Sequence, residues 1–262
     1  VRRRTARTVV VCIVGLVASL ASAQNILLLN EQCGGSAAYF PTALANLGYT
    51  FTETNTDTDF YAALTGGGPW DLVIVDEYAN PLSASTLSAL ESYIAGGGRA
   101  YMNYWAWDSA TAAAFEATLG SNYTTPIPIL RWDVTSPLFT IPNPLGDLTP
   151  AADTCASDGA RFDPTGGGSA VGGYTAAPTA GEAAVIVGNG GRTVLFGGII
   201  GLFSGDDDSD GRPDGLEFAE NVVVFLLGGG QPAAIPTSTT AGLGLLALLV
   251  ALGGVVLLRR LA

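Results

Sequence analysis

Short apolar runs and helical segments ending in glycine take turns along residues 25–120. NILLLN at 25–30 is a compact apolar run suited to a buried strand, and 37–47 follows with helical character, Pro41 near its first turn and Gly48 at its end. TFTET at 50–54 alternates in strand fashion, and TDFYAALT makes a short helix closed by Gly66, Gly67 and Gly68. DLVIVDEY at 71–78 is a further buried strand. In 85–95, Leu87, Leu90 and Ile94 recur at helical spacing before three more glycines. GRAYMNYW at 98–105 is the next strand, and Asp108 is placed to cap a helix over SATAAAFEATLG. Strands apolar along their whole length, alternating with helices, predict an α/β three-layer sandwich with a mostly parallel sheet covered on both faces.

Between 121 and 181 the alternation stops. Pro, Thr, Gly and Asp dominate, which predicts an irregular insertion with short strands packed on the sheet. Order returns with AAVIVGN at 183–189 and RTVLFGGII at 192–200, which read as a hairpin turned at Gly190-Gly191. A last helix is expected over 215–227, with Leu216, Ala219, Val222, Val223 and Leu226 as its buried stripe. The units DLVIVDEY, ESYIAGGGRAYMNYW and GGRTVLFGGIIGLF, in this order across 24–228, resemble the class I glutamine amidotransferase-like fold, a flavodoxin-like sandwich. That resemblance implies a Cys at a tight elbow after a strand, served by a His and an acid. The elbow position, near Met102-Asn103-Tyr104, has no Cys, and the chain has no histidine at all. Cys–His and Ser–His relays therefore cannot form, and His-ligated zinc is excluded.

Both ends carry sorting information. Arg2, Arg3, Arg4 and Arg7 precede an apolar stretch at 9–20 and an Ala21-Ser22-Ala23 exit, the three-part pattern of a secretory signal over 1–23. Signal peptidase is expected to cut between Ala23 and Gln24. At the other end, a glycine-rich linker opens 229–240, and 241–258 runs 18 residues without a charge before Arg259 and Arg260. This is long enough for a transmembrane helix, with the basic end, 259–262, held on the cytoplasmic side. Ile235-Pro236-Thr237, Gly242, the apolar span and the terminal arginines together resemble the IPTL-CTERM sorting signal, a relative of PEP-CTERM. Ser238 and Ala241 stand where that signal usually has Leu and Trp. The resemblance implies processing by an exosortase-like membrane transpeptidase and delivery of a membrane-anchored precursor to the cell surface or extracellular matrix. A plain C-terminal anchor is the alternative.

All 23 acidic residues lie between these ends, against only Arg99, Arg131, Arg161, Arg192 and Arg212. Such a surface repels phosphate backbones, so nucleic acid is not an expected partner, and it suits divalent cations. Cys12 leaves with the signal. Cys33 and Cys155 remain, and an exported chain permits a disulfide between them.

The sharpest local motif is DDDSDGRPDGLE. Asp206, Asp208, Asp210, Gly211 and Glu217 stand at positions 1, 3, 5, 6 and 12 of a D-x-D-x-D-G-x5-E calcium loop. Asp214 falls at position 9, and Arg212 at position 7 would offer its carbonyl. Alternate aspartates converge on one ion while glycine permits the turn. The loop resembles those of EF-hands, though a strand and not a helix precedes it and Pro213 fills position 8. The competing reading needs no metal: Asp214 and Glu217 would form a capping box for the last helix.

Glu31, Asp76, Glu77 and Asp108 are expected at the C-terminal strand ends, where open parallel sheets bind ligands, with Asn103 and Trp105 nearby. Asp76 with Glu77 could serve as a carboxylate pair for glycoside hydrolysis, or simply accept loop amides. Trp105 and Trp107 could stack on a sugar or pack as rim and core. The leading reading is an exported, surface-sorted, non-catalytic structural or binding module with a calcium loop. The alternatives are an extracellular carboxylate hydrolase acting on glycans and a small-ligand sensor.

Overall fold

A computed structural model describes residues 24–123, 127–150 and 159–228. The signal segment, the sorting motif, the apolar tail and Cys155 lie outside the described residues. No helix among the described residues is long and apolar enough to cross a membrane.

The strands β1 (Ile26–Glu31), β2 (Phe51–Thr54), β3 (Leu72–Glu77) and β4 (Ala100–Tyr104) alternate with α1 (Tyr39–Asn46), α2 (Asp57–Gly66) and α3 (Ala84–Ala95), as the sequence requires. After β4 come α4 (Ser109–Ala114), β5 (Ala117–Tyr123), β6 (Leu130–Arg131), β7 (Gly159–Pro164), β8 (Ser169–Gly173), β9 (Ala183–Gly188), β10 (Thr193–Phe196) and α5 (Asp214–Leu226). The sheet runs β2-β1-β3-β4-β10-β9-β7-β5. From β2 to β10 every pairing is parallel. This five-strand block has the 2-1-3-4-5 order of flavodoxin-like sheets, whose crevice opens where the order reverses, between β1 and β3.

Helices cover both faces of that block. Phe40 and Leu44 of α1 join Phe218, Val222 and Leu226 of α5 over Leu28, Ile74 and Tyr101 on one side. Phe60, Leu87, Leu90, Ile94 and Ala112 of α2, α3 and α4 pack over Val73, Val75 and Met102 on the other. All six residues of β3 are buried, which is why its sequence shows no polar alternation. Thr56 caps α2 by accepting from Asp59 N, Ser83 caps α3 by accepting from Thr86 N, and Asp108 caps α4 by accepting from Thr111 N.

The expected helix over 109–120 is corrected: it ends at Ala114, and Ala117 begins β5, paired antiparallel with β7. The break falls at Glu116, whose φ is +58°. Its carbonyl accepts from Thr165 N at 2.7 Å, and its carboxylate accepts from Asn189 N at 2.7 Å. Non-local partners thus override the helix propensity of an alanine-rich stretch. Within the expected insertion, Ile129, Leu138, Phe139 and Leu148 pack into the core over the sheet, while β7 and β8 join the sheet itself by antiparallel pairing with β9. The hairpin is found as β9 and β10, with Thr193 opposite Gly188.

Candidate functional site

The acidic loop connects the 3-10 turn after β10 to α5. Asp206, Asp208 and Asp210 are exposed, and one carboxylate oxygen from each lies within 4.8 Å of the others. The backbone holds this convergence. Asp206 accepts from Asp210 N at 3.0 Å and Gly211 N at 2.9 Å, Asp208 accepts from Asp210 N at 3.1 Å, and Asp210 accepts from Arg212 N at 2.8 Å. Gly211 takes φ +91°, the left-handed turn that position 6 needs.

Beneath the three exposed acids lie two buried ones. Asp214 and Glu217 are each 2% exposed, and Asp214 Oδ2 and Glu217 Oε2 have no hydrogen-bond partner. Burial, then the negative charge of the loop aspartates, pushes both carboxyls up, Glu217 to about 7. The capping box does not form. Pro213 occupies the N-cap with no side-chain cap, and Asp214 already stands inside the helix. Its Oδ1 accepts from Asp207 N at 3.3 Å, so the carboxylate turns back to the loop and away from its own helix.

Arg212, expected to contribute a carbonyl, also works through its side chain. Its guanidinium donates to Glu220 Oε1 at 2.5 Å, to Asn143 Oδ1 at 3.1 Å and, more weakly, to Glu217 Oε1 at 3.4 Å. Glu220 is further held by Asn46 at 2.9 Å and Asn143 at 2.7 Å. This clamp fastens the loop to α1 and α5. Sequence reasoning missed Glu220; the available signal was its place one helical turn after Glu217, on the same face of α5.

The residues oxygen chemistry would need for a cation fit this loop. Three converged carboxylates supply hard oxygen donors around a glycine turn, and two further acids of the same loop are each buried with an unpartnered oxygen.

The strand-end acids are arranged otherwise. Asp76 and Glu77 are adjacent on β3 and leave opposite faces of the sheet, so they do not converge on one substrate, and the proposed hydrolytic pair is corrected. Asp76 pairs in register with Asn103 and accepts from Gln32 Nε2 at 2.7 Å. Burial raises its carboxyl to about 7. Glu77 Oε1 accepts from Ala79 N and Asn80 N, both at 2.7 Å, and burial raises this carboxyl to about 8. Asp108 is occupied as the cap of α4.

At the elbow, Asn103 is a structural hub. Its amide donates to Tyr78 Oη at 2.8 Å and to the Phe196 and Gly198 carbonyls, and its Oδ1 accepts from Ile200 N at 3.0 Å. Trp107 is core, edge-on to Phe115 and Phe162 with centroids 5.8 and 5.2 Å away, and offers no open sugar platform. Trp105 packs against Tyr78, Ile199 and Leu202. Cys33, just beyond β1, is disulfide-bonded. Its expected partner, Cys155, lies outside the described residues.

No protein-family model matches the chain. No curated protein matches it significantly. Among solved structures it is similar to a protein described as a GMP synthase A subunit from Thermoplasma acidophilum, at 9% identity over 80% of this chain and 94% of that one, TM-score 0.49. It is also similar to a glutamine amidotransferase of Thermotoga maritima, at 10% identity over 80% and 98% of the two chains, TM-score 0.45. A third likeness is the glutaminase domain of Trypanosoma brucei CTPS, at 9% identity over 76% and 94%, TM-score 0.42. These are likenesses of fold outline, and no residue role is taken from them.

Proposed function

We propose that this chain is an exported scaffold or binding module of the cell envelope or matrix, stabilised by one calcium ion in the loop Asp206–Glu217. The ion would be held by Asp206, Asp208, Asp210, the Arg212 carbonyl, Asp214 and Glu217. The observation that carries this reading is the convergence of three aspartates in a loop whose two further acids, Asp214 and Glu217, are each buried with one unpartnered oxygen. Uncompensated, such groups destabilise a fold; an ion supplies the missing charge and all the missing contacts at once. Export and surface sorting rest on the terminal sequence patterns described above. The chemistry of a catalytic relay is missing from the sequence, and the strand-end acids are engaged in structural bonds.

The test is the melting temperature with millimolar calcium and with chelator. A lone extracellular loop is expected to bind at about 10⁻⁴–10⁻³ M. At about 10 mM ion this gives about 2 kcal/mol, a rise of roughly 4–8 °C for a domain of this size. Asp208→Ala should abolish the rise. No rise in the unaltered protein would remove the ion from the account.

A further inference from the structure

Glu31 and Glu77 take no part in the ion loop, yet they form a second site. Each is the last residue of its strand, and the two are register partners on the neighbouring parallel strands β1 and β3. Their side chains therefore leave the same face of the sheet, the one covered by α2, α3 and α4. They meet at the point where the strand order reverses. Glu77 is fully buried. One of its oxygens is filled by two backbone N–H groups, and the other, Oε2, has no donor. Glu31 Oε1 accepts from Asn80 Nδ2. Register places the two carboxyls side by side at the strand ends, and burial, then the Glu31 carboxyl, raises that of Glu77.

Two ionised carboxylates have no hydrogen to share and repel at this range. Tyr104 faces Glu77 from β4, its hydroxyl accepting from Leu82 N at 2.8 Å, while Asp57 at the start of α2 and Asp108 ahead of α4 act on that tyrosine. No arginine is among the groups that act on Glu77, and the chain has no lysine.

We propose that Glu31 and Glu77 bind a single proton between them and so form a proton-operated latch that ties the ends of β1 and β3 together at the mouth of the sheet crevice. Glu77 Oε2 carries the hydrogen and donates it to Glu31. The loop after β3, anchored by Ala79 and Asn80 on the same carboxyl, is held by the latch. Loss of the proton places two negative charges face to face and loosens that loop. The sign follows from burial and the raised Glu77 carboxyl: the folded chain holds more protons than the unfolded one between about pH 4.5 and 8. The latch's contribution is therefore full below that window and falls as pH rises through it.

The test compares full-length Asp76→Asn with Asp76→Asn/Glu77→Gln and Asp76→Asn/Glu31→Gln, since Asp76 also titrates near neutrality. Melting temperatures are taken with chelator at pH 6 and pH 9. Glutamine at 77 keeps an oxygen for the two amides and supplies a permanent N–H for Glu31. The expected result is a clear fall in melting temperature from pH 6 to pH 9 in the Asp76→Asn chain and a much smaller fall in both double variants. In the carboxyl carbon spectrum of the unaltered protein, one Glu resonance lost in Glu77→Gln should titrate between pH 7 and 9. A Glu77 resonance that titrates below pH 5, or an equal fall in all three chains, overturns the latch. Recovery of the pH 9 loss by millimolar magnesium or calcium in an Asp208→Ala background also overturns it, because the pair would then hold a cation and not a proton. Failure of calcium to bind the loop Asp206–Glu217 would leave these outcomes untouched.

Discussion

The chain gathers acids in two places and treats them in opposite ways. In the loop Asp206–Glu217, three exposed aspartates surround a glycine turn above two buried carboxyls with free oxygens. At the strand ends, Asp76 and Glu77 are buried with one oxygen of each bonded, to Gln32 and to backbone amides, and the other oxygen of each, Oδ1 and Oε2, without a partner. The loop has room, solvent access and many oxygens, so the economical counter-charge is a divalent ion. At the strand ends the carboxyls of Asp76 and Glu77 are fully buried, where neutralisation by a proton costs less than desolvating an ion. On the proposed reading, clustered acids take a divalent ion in one region and a proton in the other. The difference lies in backbone geometry.

The largest effect is expected where the strand ends depend on hydrogen bonds alone. Asn103→Leu removes the acceptor of Ile200 N and a donor to the Phe196 and Gly198 carbonyls, the latter keeping Tyr78 Oη, and should destabilise the protein by roughly 3 kcal/mol, equally with calcium and with chelator. A calcium-dependent loss, read by denaturant unfolding, would show that the two regions are not separate. Next is Glu217→Gln, which removes a buried charge and a terminal ligand together. Its stability in chelator should match or exceed that of the unaltered protein, while the calcium increment of about 2 kcal/mol disappears. Asp76→Asn should change little at about pH 4. At pH 8 it should stabilise by on the order of 1–2 kcal/mol, because a raised folded carboxyl makes the native state lose stability as pH climbs from about 4 to 7. Denaturant unfolding at the two pH values checks the sign. Smallest is Arg212→Gln, which removes the clamp on Glu220 while Asn46 and Asn143 remain. It should cost about 1 kcal/mol and leave calcium binding in place.

Much of the parallel block was legible because its signals are local. The run LVIVDE in β3 is buried on both faces and announces itself by composition, and the glycines after Ala95 end α3 where expected. The antiparallel extension was not legible. AAAFEATLG has helix composition, and only the pairing of β5 with β7 and the contacts around Glu116 turn it into a strand. The same division holds for the sites. The aspartate spacing of the loop is written in consecutive residues, so the cluster Asp206, Asp208 and Asp210 could be named in advance. Whether Asp214 caps the helix or faces the loop depends on which way one carboxylate turns, and spacing does not encode that. The Glu31–Glu77 contact needs the strand order and register, although an acid closing each of two apolar runs was the trace it left.

Whether an ion completes the loop Asp206–Glu217 is read by calorimetric titration of the calcium-free protein with calcium, alongside Asp208→Ala and Glu77→Gln. One site per chain is predicted, with a dissociation constant of about 10⁻⁴–10⁻³ M, lost in Asp208→Ala and unchanged in Glu77→Gln. No binding up to about 10 mM, or binding that survives Asp208→Ala, would contradict it.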